Sequence, residues 1–228
     1  MSSILKLESI GKSYEDGENK IDVLKNISFS MKKGDFFSIQ GPSGSGKSTL
    51  LNIIGALTLP DTGELFLDGK KISSYYKSGT IHEYRLNHIG FVFQNHHLMP
   101  DFSILENVMM PLLISKVSQK EAKERALAIL DKVGMVDRAD HHPSQVSGGE
   151  SQRAGVARAV ITRPSIILAD EPTGNLDQKN SEKFINLLLD LRENEDLTVL
   201  VVTHDRALAE AASKRYILTS GTLSESKK

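Results

Sequence analysis

The chain has no cysteine among its 228 residues, which excludes disulfides, thiolate metal sites and cysteine nucleophiles together. That composition is compatible with the cytoplasm. Net charge is almost absent too: 28 Lys and Arg stand against 29 Asp and Glu, a formal balance of −1. No global basic field therefore draws the chain to nucleic acid or to an anionic membrane. No apolar run is long enough to span a bilayer. The most apolar window, Val108 to Ile114, is short and interrupted by Pro111. Internal repeats, low-complexity segments and sustained heptads are also missing. Charges fall within Met1 to Glu8 where a secretory leader would be apolar, so no signal peptide is expected. Any membrane role then has to be carried by a partner.

What is present is an ordinary globular composition, 39% hydrophobic and 25% charged. It is enough for one large domain, or one domain with an inserted lobe. Leu5–Ser9 and Ile21–Ser30 read as strands joined by a polar, glycine-containing loop that holds Tyr14. Gly34-Asp35 leads into the short apolar run Phe36–Gln40, and Thr49–Leu57 reads as an apolar helix. Pro60-Asp61-Thr62-Gly63 signals a turn, with a strand at Glu64–Leu67. Ile89–Phe93 is a strand ending at Gln94. From there to about Gln145 the pattern becomes helical, clearest at Ser118–Val133 with Gly134 as its C-terminal stop. Ile166–Ala169 and Thr198–Val202 are buried strands separated by a helix at Ser181–Arg192. Strands alternating with helices imply an α/β fold with a parallel sheet. The polar tail from Ser220 is expected to fray.

Gly41-Pro42-Ser43-Gly44-Ser45-Gly46-Lys47-Ser48 fits G-x-x-x-x-G-K-[ST] and lies between an expected strand and an expected helix, the context such a phosphate-binding loop needs. Glycines let the backbone wrap an anion closely, so that N–H groups and the helix N-terminus face phosphates. Lys47 is placed to reach the β and γ phosphates of a nucleotide, and the Ser48 hydroxyl to coordinate Mg²⁺. Ile166–Ala169 then delivers Asp170 and Glu171 to the strand's C-terminal end, the edge where ligands bind parallel sheets. Taken alone, Asp170-Glu171 would read as a surface turn before Pro172. Beside a phosphate loop, Asp170 reads as an Mg²⁺ or water ligand and Glu171 as the general base. Val201-Val202-Thr203 likewise ends at His204, placed to contact the γ-phosphate and steady the water with Glu171.

Val146-Ser147-Gly148-Gly149-Glu150-Ser151-Gln152-Arg153 resembles the signature of the ATP-binding subunits of ABC transporters. Nearly the whole chain follows that family's order of elements. The resemblance implies a P-loop NTPase core with an N-terminal antiparallel β subdomain and an inserted α-helical subdomain. Residues 1–94 and about 146–228 would form the core, and about 95–145 the helical part. It implies that Ser147, Gly148 and Gly149 dock on the ATP held by a second copy, so that two ATPs are sandwiched in a head-to-tail dimer. It also assigns Tyr14 to stacking on adenine and Thr49 to the nucleotide site beside the loop. Gln94 links Mg²⁺ and water to the transmembrane partner, which makes Ser48, Gln94 and Asp170 the metal set. Gly174-Asn175-Leu176-Asp177 matches the loop through which the two copies sense each other, and His204 the switch histidine. Glu150-Ser151 departs from the glutamines common in the signature. It lies beyond the phosphate-facing residues, so ATP binding is still expected.

Phe93–Phe102, Leu105–Val108 and Met110–Ile114 resemble more narrowly the lipoprotein-releasing (Lol-type) ATPases. That implies an ATPase driving lipoprotein release from a bacterial inner membrane, peripheral on its cytoplasmic face and attached to integral permease subunits. Ala169–Asp177 is shared with macrolide or peptide efflux and cell-division ATPases, which stay open as alternatives. A ribosome- or DNA-acting ATPase is disfavoured by the single phosphate loop and the lack of a basic patch, and a non-hydrolysing sensor by Glu171. The pairs His96-His97 and His141-His142 have no metal-ligand spacing and read as polar interface. Val108–Ile114 reads equally as coupling groove or as plain core.

Overall fold

A computed structural model of the chain describes residues 3–17 and 19–226. Met1 and Ser2 of the N-terminal reading, Glu18 of the first loop, and Lys227 and Lys228 of the polar tail lie outside the described residues. The chain opens with a hairpin, β1 (Leu5–Asp16) and β2 (Asn19–Met31), then β3 (Phe36–Gln40) and α1 (Lys47–Ile54). There follow β4 (Thr62–Leu67), β5 (Lys70–Lys71), α2 (Ile72–Ser78), α3 (Ile81–His88) and β6 (Ile89–Phe93). Three helices come next: α4 (Ile104–Ile114), α5 (Gln119–Lys132) and α6 (Gly148–Val160). The chain closes with β7 (Ile166–Asp170), α7 (Gln178–Glu195), β8 (Val199–Val202), α8 (Arg206–Ala211), β9 (Lys214–Thr219) and β10 (Thr222–Glu225).

One sheet runs β10-β9-β3-β8-β7-β6, and the smaller runs β2-β1-β4-β5. The pairs β9–β3, β3–β8, β8–β7 and β7–β6 are parallel, while β10 returns antiparallel. The smaller sheet is antiparallel at each of its pairings. A parallel strand buried on both faces reads as a continuous apolar run, and alternate residues serve opposite cores. Thus Ile167, Ala169, Val199 and Val201 join the core under α4–α8. Ile166, Leu168, Leu200 and Val202 join the core shared by α1 and the antiparallel sheet.

Several elements are longer or shorter than the sequence pattern marks. Tyr14 is not in a loop: it pairs with Ile21 in a hairpin that closes at Asp16↔Asn19, with Gly17 at φ 62°. Tyr14, Glu15, Lys20 and Ile21 are exposed, so backbone pairing forms this outer part and no buried alternation announces it. The tail does not fray at Ser220. Ser220 and Gly221 turn the chain at φ 48° and 80°, β10 pairs with β9, and Glu225 meets Lys214 at 2.9 Å. The first helix stops at Ile54, where Gly55 and Ala56 (φ 55°) break away. The helix expected at Ser181–Arg192 starts earlier, at Gln178, because the Asp177 side chain accepts the Asn180 N–H at 2.8 Å and caps it. Helix α5 lies one residue inside each end of the expected Ser118–Val133, which are its N-cap and C-cap, and Gly134 follows at φ 64°.

The stretch leading from β6 into α4 is held by a buried amide. Asn107 Oδ1 accepts the Met99 N–H at 2.7 Å, and its Nδ2 donates to the carbonyls of Met99, Phe102 and Ser103 at 2.9–3.1 Å. Asn107 is fully buried, so a side chain unable to make these bonds strands several polar groups away from water. Asn107→Leu is expected to destabilise the fold by about 2–4 kcal/mol, read from urea unfolding. A change below about 0.5 kcal/mol would show that the loop holds itself.

Candidate functional site

At the C-terminal edge of the parallel strands lies a cleft of 690 Å³. Tyr14, Gly41, Ser43, Gly44, Gly46, Lys47, Ser48, Thr49, Gln94, Asp170, Glu171 and His204 line it, together with Val23. Twelve of the expected site residues are therefore brought together from five parts of the chain. Pro42 and Ser45 belong to the same loop but do not line the cleft. The Pro42 carbonyl accepts the Ser45 N–H at 3.2 Å. Ser45 Oγ is buried behind the loop without a hydrogen-bond partner. Ser147, Gly148 and Gly149 do not line this cleft.

The loop between β3 and α1 needs its glycines for two distinct reasons. Gly46, the N-cap of α1, sits at φ 101°, a conformation that side chains disfavour. Gly41 passes so close to the next strand that a Cβ would lie 2.2 Å from the Leu218 carbonyl oxygen. Lys47 Nζ donates to the carbonyls of Gly41 and Pro42 at 2.9 and 3.0 Å. Its ammonium thus spans the mouth of the loop at the positive end of a helix, an arrangement suited to phosphate.

Across the cleft β7 supplies the acidic pair. Burial pushes the Asp170 carboxyl above its ordinary range, the Ser48 hydroxyl bond pulls it back, the Glu171 charge raises it and Lys47 lowers it. Desolvation prevails because too little positive charge surrounds the group. Ser48, Asp170 and Gln94 offer hydroxyl, carboxylate and amide oxygens to one cleft, a donor set that fits a hard divalent cation. Glu171 lies at φ 45°, a left-handed backbone held by its N–H bond to the Val202 carbonyl at 2.9 Å. Strain of this kind in a non-glycine residue marks a position that the surrounding structure imposes.

Glu171 Oε2 accepts the His204 N–H at 3.1 Å and lies 2.8 Å from His204 Nδ1. The carboxylate is mostly buried, with 18% of its side chain exposed against 73% for His204. One oxygen is therefore anchored by the end of β8 while the imidazole stays in reach of solvent. Thr173 Oγ1 donates to Asp205 Oδ2 at 3.0 Å, tying the loop after Glu171 to the N-cap of α8. Tyr14 is 45% exposed at the rim, with Lys12 Nζ 5.4 Å from its ring centroid. Its free face suits a planar ring.

Gln94 is fixed from two sides. Its Nε2 donates to Asn175 Oδ1 at 3.2 Å, and Asn175 Nδ2 returns a bond to its carbonyl at 3.2 Å. Helix α6 grips the same segment: Gln152 Nε2 donates to the Phe93 carbonyl at 3.2 Å, and Arg158 to the carbonyls of His96 and His97 at 2.9 and 2.6 Å. Sequence reasoning missed Gln152 and Arg158. Their signal was position: they lie one and almost three turns into the helix that follows Gly148-Gly149. His96 Nδ1 bonds Gln152 and the His97 ring meets Phe93 edge-on, so this pair serves packing around Gln94.

The signature stands at the exposed start of α6. Ser147 is its N-cap, forming a reciprocal box with Glu150. Gly149 adjoins Asn180 on α7, so this end sits beside the loop Gly174–Asp177. A second concavity of 330 Å³ lies between α3, β6, α4 and α6, lined by Leu86, Phe91, Phe93, Pro111 and Ile114 among others. Helix α4 divides Val108–Ile114 between its faces: Val108, Met109 and Leu112 are core, while Ile114 is 61% exposed.

Known proteins similar to this chain were found both by sequence and by fold. The family model described as ABC transporter matches residues 24–174. The lipoprotein-releasing system ATP-binding protein LolD of Bacteroides thetaiotaomicron is 47% identical over 96% of this chain and 99% of its own. That of Saccharophagus degradans is 44% identical over 97% of each. Among solved structures, the dimeric ATP-binding cassette MJ0796 in a post-hydrolysis state with ADP and Pi superposes with a TM-score of 0.87. It is 41% identical over 98% of this chain and 99% of that one.

Proposed function

The chain belongs to the ABC transporter family, and from that premise we propose that it is the ATP-hydrolysing subunit of a membrane complex that releases lipoproteins from a bacterial inner membrane. The observation that carries the ATPase is the single cleft joining Lys47, Ser48, Asp170, Glu171 and His204. The cargo reading rests on relatives named for lipoprotein release that match along nearly the full chain.

ATP enters with its phosphates on the loop Gly41–Ser48 and Thr49, and its base against Tyr14. Mg²⁺, held by Ser48, Asp170 and Gln94, would neutralise phosphate charge there. Glu171 keeps one oxygen on His204 and uses the other to take a proton from water. The water oxygen bonds to the γ phosphorus, and the bond from that phosphorus to the bridging oxygen of ADP breaks. His204 and Lys47 face the charge that shifts in this step. Ser147, Gly148 and Gly149 stand outside their own cleft, which supports the reading that they complete the site of a second copy. The helical segment 95–145 leads into them, and α6 links them to the stretch that carries Gln94. Closure of the two copies then moves membrane subunits on the cytoplasmic face, and hydrolysis resets them. Among the described residues no helix is long and apolar enough to cross a membrane. Attachment is assigned to the apolar concavity beside Ile114.

Two outcomes follow. Glu171→Gln keeps ATP affinity but lowers turnover about 10²–10⁴-fold in a phosphate-release assay; turnover within about threefold of the parent would remove Glu171 from the base role. Ile114→Glu places a carboxylate in the apolar concavity and reduces recovery of co-purified membrane subunits at least about tenfold, with ATP binding intact. Unchanged recovery would locate attachment elsewhere. Partners recovered with the parent chain also decide the cargo, because an acyl-binding periplasmic domain on them fits lipoprotein and its lack fits efflux or division.

A further inference from the structure

Ser147, at the exposed start of α6, is already engaged. Its hydroxyl donates to Glu150 Oε2 at 2.8 Å and accepts the Glu150 N–H at 3.3 Å. The Ser147 N–H donates to the same carboxylate oxygen at 2.8 Å. Glu150 Oε1 accepts Arg138 Nε at 3.1 Å from the 3-10 turn Val136–Arg138. The N–H of Ser147, then its hydroxyl, and after them Arg138 hold the Glu150 carboxyl down at about 2 against a small opposing effect of burial. The group is therefore an anion at every working pH.

An uncapped helix N-terminus attracts anions through bare N–H groups and the helix dipole. Here a carboxylate of the chain itself lies over the first turn. A phosphate approaching Gly148 and Gly149 meets that charge, and finds the one hydroxyl proton of Ser147 already given to Glu150. A glutamine at the same position would accept the two bonds from Ser147 without the charge, and would turn an amide N–H, not an acceptor, toward Arg138.

We propose that Glu150 is a brake on ATP-dependent closure of two copies, with Arg138 setting its strength. This rests on the reading that Ser147–Gly149 dock on the nucleotide of a second copy. To bind that phosphate, Ser147 turns its proton from Glu150 to the phosphate oxygen, and Arg138 keeps the displaced carboxylate neutralised. Glu150 acts through Ser147 and is a positioning residue. The brake disfavours closure on a weakly held or partly dissociated nucleotide, and it eases reopening after hydrolysis.

The test uses the full chain carrying Glu171→Gln, so that ATP persists, and reads the ATP concentration for half-maximal dimer by sedimentation. Adding Glu150→Gln lowers that concentration about tenfold. Adding Arg138→Met, which exposes the carboxylate, raises it several-fold, and nearly ceases to matter once Glu150→Gln is present. A cap with only a structural role gives a different pattern. Glu150→Gln then leaves the midpoint unchanged or raises it, and Arg138→Met acts alike in both backgrounds. Binding of a fluorescent ATP analogue to the monomer, equal in all variants, separates these effects from misfolding; a monomer affinity that moves in step with the midpoint overturns the brake. If the Glu171→Gln chain forms no dimer with ATP, the two-copy reading falls and the brake with it. If it dimerises, Gly148→Asp abolishes the dimer and Glu150→Gln does nothing, the brake alone falls.

Discussion

Parallel pairing of β3, β8, β7 and β6 constrains everything else in this molecule. Parallel strands point their C-terminal ends one way, so each delivers its next residue to one edge. β3 ends in the phosphate loop, β8 in Thr203 and His204, β7 in Asp170 and Glu171, and β6 in Gln94. Neighbouring strands are close to 4.8 Å apart, so these groups converge without long loops. Glu171 accepting the His204 N–H is that convergence at atomic scale.

Helix α6 gives the edge its reach. Its first turn presents Ser147, Gly148 and Gly149 outside the cleft, and its later turns hold Phe93, His96 and His97 through Gln152 and Arg158. Burial lowers the Arg158 pKa from its ordinary value, yet both of its bonds go to carbonyls, so it acts as a structural fork on the segment carrying Gln94. The signature and the segment carrying Gln94 are thereby joined through one helix. The apolar concavity beside Ile114 borders the same helix. The proposed contacts with a second copy and with a membrane partner share this support.

The parts legible in the sequence were those that burial writes into residue type. Phe36–Gln40, Ile89–Phe93, Ile166–Ala169 and the run to Val202 are apolar because both faces of their sheet are covered. The cleft was legible for the same reason: the phosphate loop, Gln94, Asp170-Glu171 and His204 each come at the end of such a strand. What stayed hidden depends on backbone pairing or on distant partners. The outer half of the β1–β2 hairpin and β10 bury little, so their residues read as loop and tail. Helices α2 and α3 are short and polar on balance. Tyr84 and Tyr76 anchor them by bonding the carbonyls of Ile54 and Ala56 at 2.9 and 3.0 Å. Glu150 read as a departure from a motif, although Ser147-x-x-Glu150 has the spacing of a capping box and so carried the signal for a side chain folding back onto Ser147.

The central claim is that each chain carries half of two sites. A mixture of two inactive variants tests it directly. Lys47→Ala disables the phosphate loop and leaves the signature. Gly148→Asp disables the signature face and leaves the loop; a Cβ at Gly148 meets nothing within 4 Å, so this chain keeps its fold. If sites form between copies, a mixed pair contains one intact site, and the mixture regains ATP hydrolysis that neither variant has alone. A mixture as inactive as its components would place the whole site within one chain and contradict the account.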